Sequence, residues 1–295
     1  MSTRAETPVP LTPTLLRGWP LPGGGSGKAD RGSVLVVGGA RKTPGAALLA
    51  GVAALRSGAG RLTLAVAEST AVQVAVAFPE CGVVGLPETA RGSVKGSAAS
   101  LLADEFSAAD AVLIGPGLDD KEEALGLLRG LLLPARAHPK SGPAVVLDAY
   151  ALGCLPELAD DVKPWAGRLI LTPNTTEAAI LLGREITDLK RDVRTIAETY
   201  GAIVSCQGII VESGGESWEI TTGHSGLGTS GSGDVLAGAI AGLRARGTTG
   251  AQATCWGTHL HAAAGDRLAS RLGGLGYLAR ELCDELPALM VELSS

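Results

Sequence analysis

The sequence predicts an α/β protein whose mainly parallel sheet is covered by helices on both faces. Short β-branched runs alternate with longer small-residue runs along the chain, which is typical of this class. Of the 295 residues, 45% are apolar but only 3% are aromatic, and 42 are glycine, which is twice the usual share of about 7%. Alanine, valine, leucine and glycine must therefore fill the core, as suits closely packed parallel strands and helices.

The chain opens with a proline-rich segment that is followed by a βαβ unit. Residues 1–32 are rich in proline, glycine and polar residues, which predicts an irregular lead-in to a single domain over 33–295. The β-branched run at 33–40 ends in glycines and predicts a buried strand. The small-residue segment after it predicts a helix that ends near Gly58, and the run at 61–66 predicts the next strand.

The alternation continues through the rest of the chain. A strand and then a turn through Pro173 precede a helix that is predicted to begin near Thr175, and from about Val235 to the C-terminus the pattern is helical. The other predicted strands are 111–118, 144–152 and the pair 202–213 and 218–223, which can form a hairpin.

Glycine, aspartate or asparagine follows several of these strands directly. In open parallel sheets, ligands bind beyond the carboxyl ends of the strands. The sequence therefore predicts one shared cleft at that edge. The segments that would line it are "VVGGA" (36–40), "IGPGL" (114–118), "LDAY" (147–150) and "LTPNTTE" (171–177).

Charge and cysteine usage exclude several classes of protein. The formal net charge of −5 gives nucleic acid or an anionic membrane no general attraction, so any anionic ligand must be held locally. The five cysteines form neither a C-x-x-C pair nor a regular framework, which argues against a disulfide scaffold or a zinc site. No export signal is recognisable, and the longest apolar stretch is short of the about 20 residues that cross a bilayer. We expect a cytoplasmic protein without nucleic-acid or membrane partners.

A glycine-rich segment, "GTSGSGDVLAGAIAGL" (228–243), leads into an apolar helix. Free backbone N–H groups at such a helix start form an anion site that the helix dipole reinforces. Asp234 is explained in part as a first-turn carboxylate, which stabilises a helix by up to about 1 kcal/mol. The density of glycine exceeds what capping needs, however. Asp234 can instead accept a hydroxyl proton while the oxygen attacks the phosphorus of a bound phosphate.

Asn174 and Glu177 stand three residues apart across another predicted helix start. One interpretation is a capping box, in which each side chain bonds to the backbone N–H of the other residue. The other is that Glu177 orients water around Mg²⁺, which usually keeps several waters and few protein ligands. The sequence leaves both interpretations open.

Other motifs carry less information. The segment 22–30 differs from a P-loop, because Pro22 replaces the first glycine and Ala29 the Ser/Thr. His259 and His261 are two residues apart, so on a helix they point to different faces and do not form a metalloprotease pair. His224, just ahead of the glycine-rich segment, is placed to line the site, but we expect an exposed loop residue instead.

Six segments, taken in order, resemble the NAD(P)H-hydrate dehydratases of the ribokinase-like superfamily. The similarity runs in blocks from about residue 28 to the C-terminus, and the ordered set is specific, whereas G-x-G-D alone indicates only the superfamily. The resemblance implies a three-layer α/β/α sandwich with a central, mostly parallel sheet. The segments are "VLVVGGA", "PGAALLAGVAALRSGAGRLTLAV", "VLIGPGL", "VVLDAYAL", "LTPNTTEAAILLG" and "GTSGSGDVLAGAIAGL".

The resemblance also implies an activity. Members of this family repair NADH and NADPH whose reduced ring has been hydrated. The hydroxyl group of the hydrate is phosphorylated by ADP, typical of the bacterial enzymes, or by ATP, and phosphate then leaves, which restores the ring double bond. Mg²⁺ on the phosphates and a homo-oligomeric assembly belong to the same expectation.

The residues that match the family's motifs receive roles by the same resemblance. Asp234 corresponds to the catalytic base and also contacts the hydrated substrate. Glu177 would meet Mg²⁺ through water. The remaining implied contacts are Ala46, Gly117 and Asn174 to the hydrated nicotinamide nucleotide, and Gly231, Ser232, Gly233, Gln207 and Gly208 to the nucleotide and its phosphates.

Two positions depart from the family's pattern and keep alternatives open. Asn174 stands where the family usually has histidine, which gives the N-x-x-E form of ribokinase-like kinases and favours a small-molecule kinase. Gln207 stands where lysine is common, in the strand before the nucleotide loop, which removes a cation that neutralises phosphates. A nucleotide-binding protein without catalysis is the third possibility. The paired "VVGGA" and "GPGL" loops favour the dehydratase.

Overall fold

The computed structural model describes residues 7–137 and 142–294 and contains a single mixed sheet. Its strands are β1 (Val9–Pro10), β2 (Ser33–Val37), β3 (Arg61–Ala67), β4 (Gly82–Leu86), β5 (Ala111–Ile114), β6 (Ala144–Leu147), β7 (Leu169–Leu171), β8 (Ile203–Cys206), β9 (Ile209–Glu212) and β10 (Ser217–Glu219). They lie in the order β1-β10-β9-β8-β7-β6-β5-β2-β3-β4. All neighbours from β4 to β8 pair in parallel, and β9 is antiparallel to both β8 and β10. The predicted mainly parallel sheet is confirmed.

Helices cover both faces of this sheet. They are α1 (Pro13–Arg17), α2 (Pro44–Arg56), α3 (Glu68–Ala77), α4 (Ala103–Ala108), α5 (Lys121–Ala137), α6 (Thr175–Leu182), α7 (Leu189–Tyr200), α8 (Ser232–Ala245), α9 (Gly250–Leu272) and α10 (Ala279–Ser294). Successive strand residues face opposite sides. Val34 and Val36 of β2 therefore join the core with α2, α8, α9 and α10, and Leu35 and Val37 join the core with α4 to α7. The predicted three-layer α/β/α architecture is confirmed.

The segment before β2 contains regular structure, in contrast to the irregular lead-in predicted over 1–32. Of this segment, residues 1–6 lie outside the described part of the chain. Strand β1 extends the sheet beside β10, and Thr12 Oγ1 caps α1 by accepting a hydrogen bond from Leu15 N at 3.2 Å. Leu11 and Leu16 are buried in the core. The prolines that suggested a loop are compatible with this structure, because proline is tolerated in edge strands and in the first turn of a helix.

The predicted hairpin is present, because β9 pairs antiparallel with β10, and a second hairpin that the sequence did not indicate precedes it. Residues 202–213 form two strands, β8 and β9, instead of one, and Gln207 and Gly208 form the turn between them, with φ angles of 49° and 81°. Two successive residues with positive φ give the turn that best matches the twist of antiparallel strands. The expectation that Gln207 lies within a strand is therefore wrong, although the residue does lie at the carboxyl end of β8.

The order of the strands reverses between β2 and β5, and a ligand crevice is expected at such a point. Helix α8 packs closely against α2 beside it. A Cβ atom at Gly238 would lie 2.1 Å from the carbonyl oxygen of Ala50, and one at Gly242 would lie 2.3 Å from that of Ala54. Glycine in α8 thus allows backbone contact between the two helices. None of the helices in the described ranges is long and apolar enough to span a bilayer.

Candidate active site

The loops that follow β2 and β5 are joined by hydrogen bonds at the reversal of strand order. Gly39 N donates to Pro116 O and Ala40 N to Gly117 O, each at 2.8 Å. Thr43 Oγ1 donates to the same Gly117 carbonyl at 2.7 Å. The segments "VVGGA" and "GPGL" therefore form one wall at the carboxyl edge of the sheet.

Ala46 and Gly117, two of the four positions predicted to contact the hydrated nucleotide, lie side by side in this wall. Gly117 has a φ of 73°, and a Cβ atom there would lie 2.4 Å from Thr43 O and 3.1 Å from Ala46 Cβ. Both the backbone conformation and the lack of space require glycine. The result is a surface with almost no side chains, which a flat ring can approach closely.

The glycine-rich segment contacts α2 at the point where α8 begins. Gly231, the N-cap of α8, has a φ of 87°, and a Cβ atom there would lie 2.5 Å from Leu49 Cδ1. Gly233 is different, because a Cβ atom there would meet no atom within 4 Å. Neither backbone strain nor packing requires glycine at position 233. Its exposed surface lies where the first N–H groups of α8 lack partners within the helix, as an anion site needs.

Asp234 lies in the first turn of α8 and is partly buried. No side chain caps this helix, and in the described structure the Asp234 carboxylate forms no hydrogen bond or ion pair. Burial raises the pKa of Asp234 to about 6, and the charge of Glu177 raises it further in the same direction. The group is ionised at neutral pH and free to accept a proton.

Asn174 and Glu177 form the capping box that the sequence allowed. Glu177 N donates to Asn174 Oδ1 and Asn174 N donates to Glu177 Oε2, both at 2.9 Å. Burial raises the pKa of Glu177, and the hydrogen bond from Asn174 lowers it by a smaller amount. The capping interpretation is confirmed. It occupies only one oxygen of Glu177, so it leaves the other oxygen available to a water molecule.

Asp148 belongs to the segment "LDAY" (147–150), which the sequence predicts to line the cleft. It follows β6 directly and is 4% exposed, and Thr172 Oγ1 donates to its Oδ1 at 2.8 Å. The next residue, Ala149, has a φ of 49°, a strained value for a side chain with a Cβ atom. Burial raises the pKa of Asp148 to about 7, with smaller contributions from Asp234 and Glu177.

Among the described residues, these three carboxyl groups have no basic partner. No basic side chain of the described residues contributes to the pKa of Asp148, Glu177 or Asp234. Nor do any three His, Cys, Asp or Glu side chains in those ranges lie close enough together to hold a metal ion by themselves. Mg²⁺ typically takes one or two carboxylates together with waters and substrate phosphates. The residues present fit an ion that arrives with a nucleotide.

Gln207 and Gly208 lie at the same edge, in the turn after β8. The Gln207 side chain is exposed, and Gly208 O accepts a hydrogen bond from Ile220 N at 2.9 Å. Two residues before Gln207, Ser205 Oγ lies 2.9 Å from Thr258 Oγ1 of α9. The strand that leads into the turn is therefore attached to α9.

Of the four histidines, His138 lies outside the described residues, and the other three divide into one exposed residue and two buried ones. His224 is exposed, as expected, and its Nδ1 accepts a hydrogen bond from Gly226 N at 3.1 Å. His259 and His261 are buried in α9. His261 Nε2 lies 2.8 Å from Ser232 Oγ, so it contacts the glycine-rich segment directly. Sequence reasoning missed this contact, because 29 residues separate the two side chains.

Two cavities lie away from this edge and do not share its chemistry. One of about 370 Å³ lies between the start of α7 and β9, and its basic side chains are engaged with neighbours: Lys190 with Glu219, and Arg194 with the carbonyl of Gly215. The other, of about 470 Å³, is an open groove between residues 96–100 and α5. Neither of these two cavities is lined by a residue predicted for the site.

Comparisons with known proteins agree with this geometry. A family model described as NAD(P)H-hydrate dehydratase matches residues 34–288. The chain is 40% identical, over 96% of both sequences, to an ADP-dependent (S)-NAD(P)H-hydrate dehydratase of Xanthomonas campestris. The structure also matches the ADP/ATP-dependent NAD(P)H-hydrate dehydratase of Bacillus subtilis, which was co-crystallized with ATP and Mg²⁺. The TM-score is 0.79 and the sequence identity is 26%, and the match covers 98% of this chain and 100% of that one. A ribokinase-like superfamily protein of Enterococcus faecalis shares the fold, with a TM-score of 0.80 and 23% identity, covering 100% of this chain and 98% of that one. The chain belongs to the NAD(P)H-hydrate dehydratase family, with a ribokinase-like fold.

Proposed function

We propose that this protein dehydrates hydrated NADH or NADPH, using ADP or ATP as the phosphate donor, and that residues 33–295 act as its single catalytic domain. The observation that carries the proposal is the position of Asp234. Its unpaired carboxylate stands in the first turn of α8, beside the open surface of Gly233. The adjoining Gly231 abuts Leu49, one helical turn from Ala46 in α2.

Two neighbouring surfaces bind the two substrates. The hydrated ring lies against the wall formed by Ala46 and Gly117, with Asn174 at the edge of the same site. The phosphates accept hydrogen bonds from the free N–H groups at the start of α8, where no side chain obstructs them. The nucleotide contacts are Gly231, Ser232 and Gly233 in that turn, and Gln207 and Gly208 in the turn between β8 and β9.

Asp234 acts as the general base of the phosphoryl transfer. Its carboxylate, with a pKa of about 6, takes the proton of the substrate hydroxyl while that oxygen attacks the terminal phosphorus. The N–H groups at the start of α8 stabilise the charge on the transferring phosphoryl group. The carbon–oxygen bond then breaks, phosphate leaves with the bonding pair, and the adjacent ring carbon loses a proton to water. The products are the reduced cofactor, inorganic phosphate and the nucleotide shortened by one phosphate.

Mg²⁺ is part of the proposal. Glu177 would hold it through water by means of the carboxylate oxygen that the capping box leaves available. The ion supplies positive charge to the nucleotide phosphates, which otherwise meet three acidic side chains. Gln207 offers hydrogen bonds but no charge at the second nucleotide contact.

The choice of nucleotide and the assembly are also proposals. The 40% identical relative is named ADP-dependent, which favours ADP over ATP for this chain. We further propose a homo-oligomer in the cytoplasm, in keeping with a net charge of −5 that offers no attraction to anionic surfaces. Light scattering of the purified protein gives the number of subunits.

The test is recovery of the reduced-nicotinamide absorbance. Purified protein, Mg²⁺ and hydrated NADH are mixed with ADP, with ATP or with neither nucleotide. The proposal predicts recovery that depends on a nucleotide and that Asp234→Asn lowers by about 10²- to 10⁴-fold, the range typical of a general base, while nucleotide binding persists. Bound nucleotide without recovery in the native protein would refute the proposal and favour a kinase or a binding protein.

A further inference from the structure

Helix α9 carries two buried polar side chains that bond to serines in two other elements. Thr258 Oγ1 lies 2.9 Å from Ser205 Oγ of β8, and His261 Nε2 lies 2.8 Å from Ser232 Oγ of α8. All four side chains are 9% exposed or less. Because residues three apart share a helix face, a single face of α9 reaches both elements.

These pairs are not required to bury α9. The helix is otherwise held by apolar residues, among them the fully buried Trp256 and Leu260. A buried polar pair contributes little net stability, and replacing both partners by apolar groups of similar shape is often nearly neutral. What such a pair adds is direction, because a hydrogen bond fixes the distance and the angle between two elements.

The two serines stand at the segments that we assign to the nucleotide. Ser232 is the first residue of α8, between Gly231 and Gly233. Ser205 is two residues ahead of Gln207, in the strand that leads into the β8–β9 turn. One rigid helix therefore contacts both segments, which are far apart in the sequence.

His261 does not supply charge to the phosphates. Burial lowers the pKa of its imidazole to about 4, so the ring is neutral at physiological pH, with one N–H group and one lone pair. Within the described part of the chain, the side chain of His261 makes its polar contact at the site with the side chain of Ser232. Any effect of His261 on an anionic ligand must therefore pass through the position of Ser232 and the turn that contains it.

We propose that α9 sets the spacing of the two nucleotide-binding segments, with His261 as the positioning residue for the phosphate-binding turn of α8 and Thr258 as that for the β8–β9 turn. This inference rests on the proposed function. It deepens that function by assigning the alignment of the nucleotide site to a helix that contributes none of the contacts proposed for the substrates.

The test measures the affinity for ADP and ATP by calorimetry in the presence of Mg²⁺, together with thermal unfolding. His261→Leu and Ser232→Ala should each weaken nucleotide binding by about 10-fold, the effect of losing one well-placed hydrogen bond. Because both substitutions break the same link, the double variant should bind little more weakly than the weaker single variant. His261→Gln, which carries an N–H group at a reach similar to that of Nε2, should recover most of the affinity.

His259 offers a matched control on the same helix. It is buried like His261, but its Nδ1 has no partner among the described residues, and it makes no described contact with Ser232. His259→Leu should leave nucleotide affinity within about twofold of the native value, as for a substitution outside the linked pair. Equal weakening by both histidine variants would reveal a general effect of packing and overturn the proposal.

The remaining outcomes separate this inference from the proposed function. Native affinity in His261→Leu, or additive effects in the double variant, overturns the positioning role while leaving the dehydratase intact. A native protein that binds neither ADP nor ATP refutes the proposed function itself. If His261→Leu does not fold, His261→Asn replaces it, because the shorter amide does not extend as far as the ring Nε2; unchanged affinity in that variant likewise overturns the inference.

Discussion

Burial, together with electrostatic coupling to Glu177, raises the pKa of Asp234, and this pKa sets the pH dependence that we expect of the site. Burial is the largest cause of the raised pKa of Asp234, about 6, and the charge of Glu177 is the next. A general base must be ionised to act. Activity should therefore be full above pH 7 and should fall as the pH drops through about 6.

Glu177→Gln tests this coupling. Glutamine retains an oxygen that can accept the capping hydrogen bond from Asn174 N but removes the negative charge. The pKa of Asp234 should decrease, because a like charge no longer opposes its ionisation. We predict that the acidic limb of kcat/KM, measured from pH 5 to 9, moves to lower pH in this variant. An unchanged limb, or one at higher pH, would show that Asp234 does not control it.

The ionised carboxylate of Asp148 should lower the free energy of unfolding at neutral and alkaline pH. Its folded-state pKa, about 7, lies above the unfolded value of about 3.9. The ionised form is therefore disfavoured in the folded protein; the penalty is absent below the unfolded pKa and complete above the folded one. We predict that Asp148→Asn raises the free energy of unfolding at pH 8 by on the order of 1–3 kcal/mol, and that the gain vanishes near pH 4.

Urea unfolding at the two pH values measures this difference. Asparagine retains an oxygen for the hydrogen bond from Thr172 Oγ1, so the substitution chiefly removes the charge. A loss of stability at pH 8 would contradict the predicted penalty. Asp148→Glu, which keeps the charge, is the control.

Single residues were predictable where the signal is local. A few neighbouring residues predict the capping pair Asn174 and Glu177, and also the position of Asp234, because helix starts are specified by adjacent residues. The contact between His261 and Ser232 and the raised pKa of Asp148 depend on packing between distant segments. No local pattern encodes either of them.

At the scale of elements, the start of α8 combines a glycine that the fold requires with one that it does not. Gly231→Ala should destabilise the protein by about 1–3 kcal/mol, because the native φ is positive and the added Cβ atom collides with Leu49. Gly233→Ala should leave stability unchanged or slightly higher, because alanine favours the helix. It should nevertheless weaken nucleotide binding, because the new methyl group occupies the surface that the phosphate needs.

Thermal unfolding and nucleotide titration of both variants provide the comparison. Native affinity in Gly233→Ala would mean that the phosphates do not approach this surface. A pronounced loss of stability in the same variant would mean that the open space beside the helix is absent in solution.

The turn between β8 and β9 presents the uncharged side chain of Gln207 at the proposed second nucleotide contact. Gln207→Lys should tighten binding of ADP or ATP by about 3- to 10-fold and make it more sensitive to salt, because a cation is returned to the phosphates. Gln207→Glu should act in the opposite direction. Equal affinity in all three proteins would place Gln207 away from the phosphates.

Elements with strong periodic patterns were predictable, and irregular ones were not. Strands β2, β3, β5, β6 and β7 and the C-terminal helices follow from apolar runs that end in turn residues. The turn at Gln207 and Gly208 was missed, because an apolar run continues on both sides of it. Strand β1 was missed because its proline is acceptable only at the edge of a sheet, a position that the sequence does not reveal.

At the scale of the whole molecule, the site is assembled from segments spread over the chain. The wall after β2 and β5, Asp148 after β6, the capping box after β7 and the turn after β8 all meet at one edge because these strands are parallel. Alternation along the sequence predicted the sheet and its shared edge. The strand order, and hence which loops become neighbours, was not predictable from it, because order depends on crossovers between segments that are remote in the sequence.

The most direct measurement follows nucleotide consumption and recovery of the reduced-nicotinamide absorbance in the same reaction with hydrated NADH and Mg²⁺. Phosphorylation of the hydrate followed by loss of phosphate predicts one nucleotide shortened for each ring restored, with free phosphate in the same amount. Nucleotide consumed without recovery of absorbance would identify a kinase that stops at the phosphorylated product. Recovery without nucleotide consumption would contradict the role given to the glycine-rich turn and Asp234.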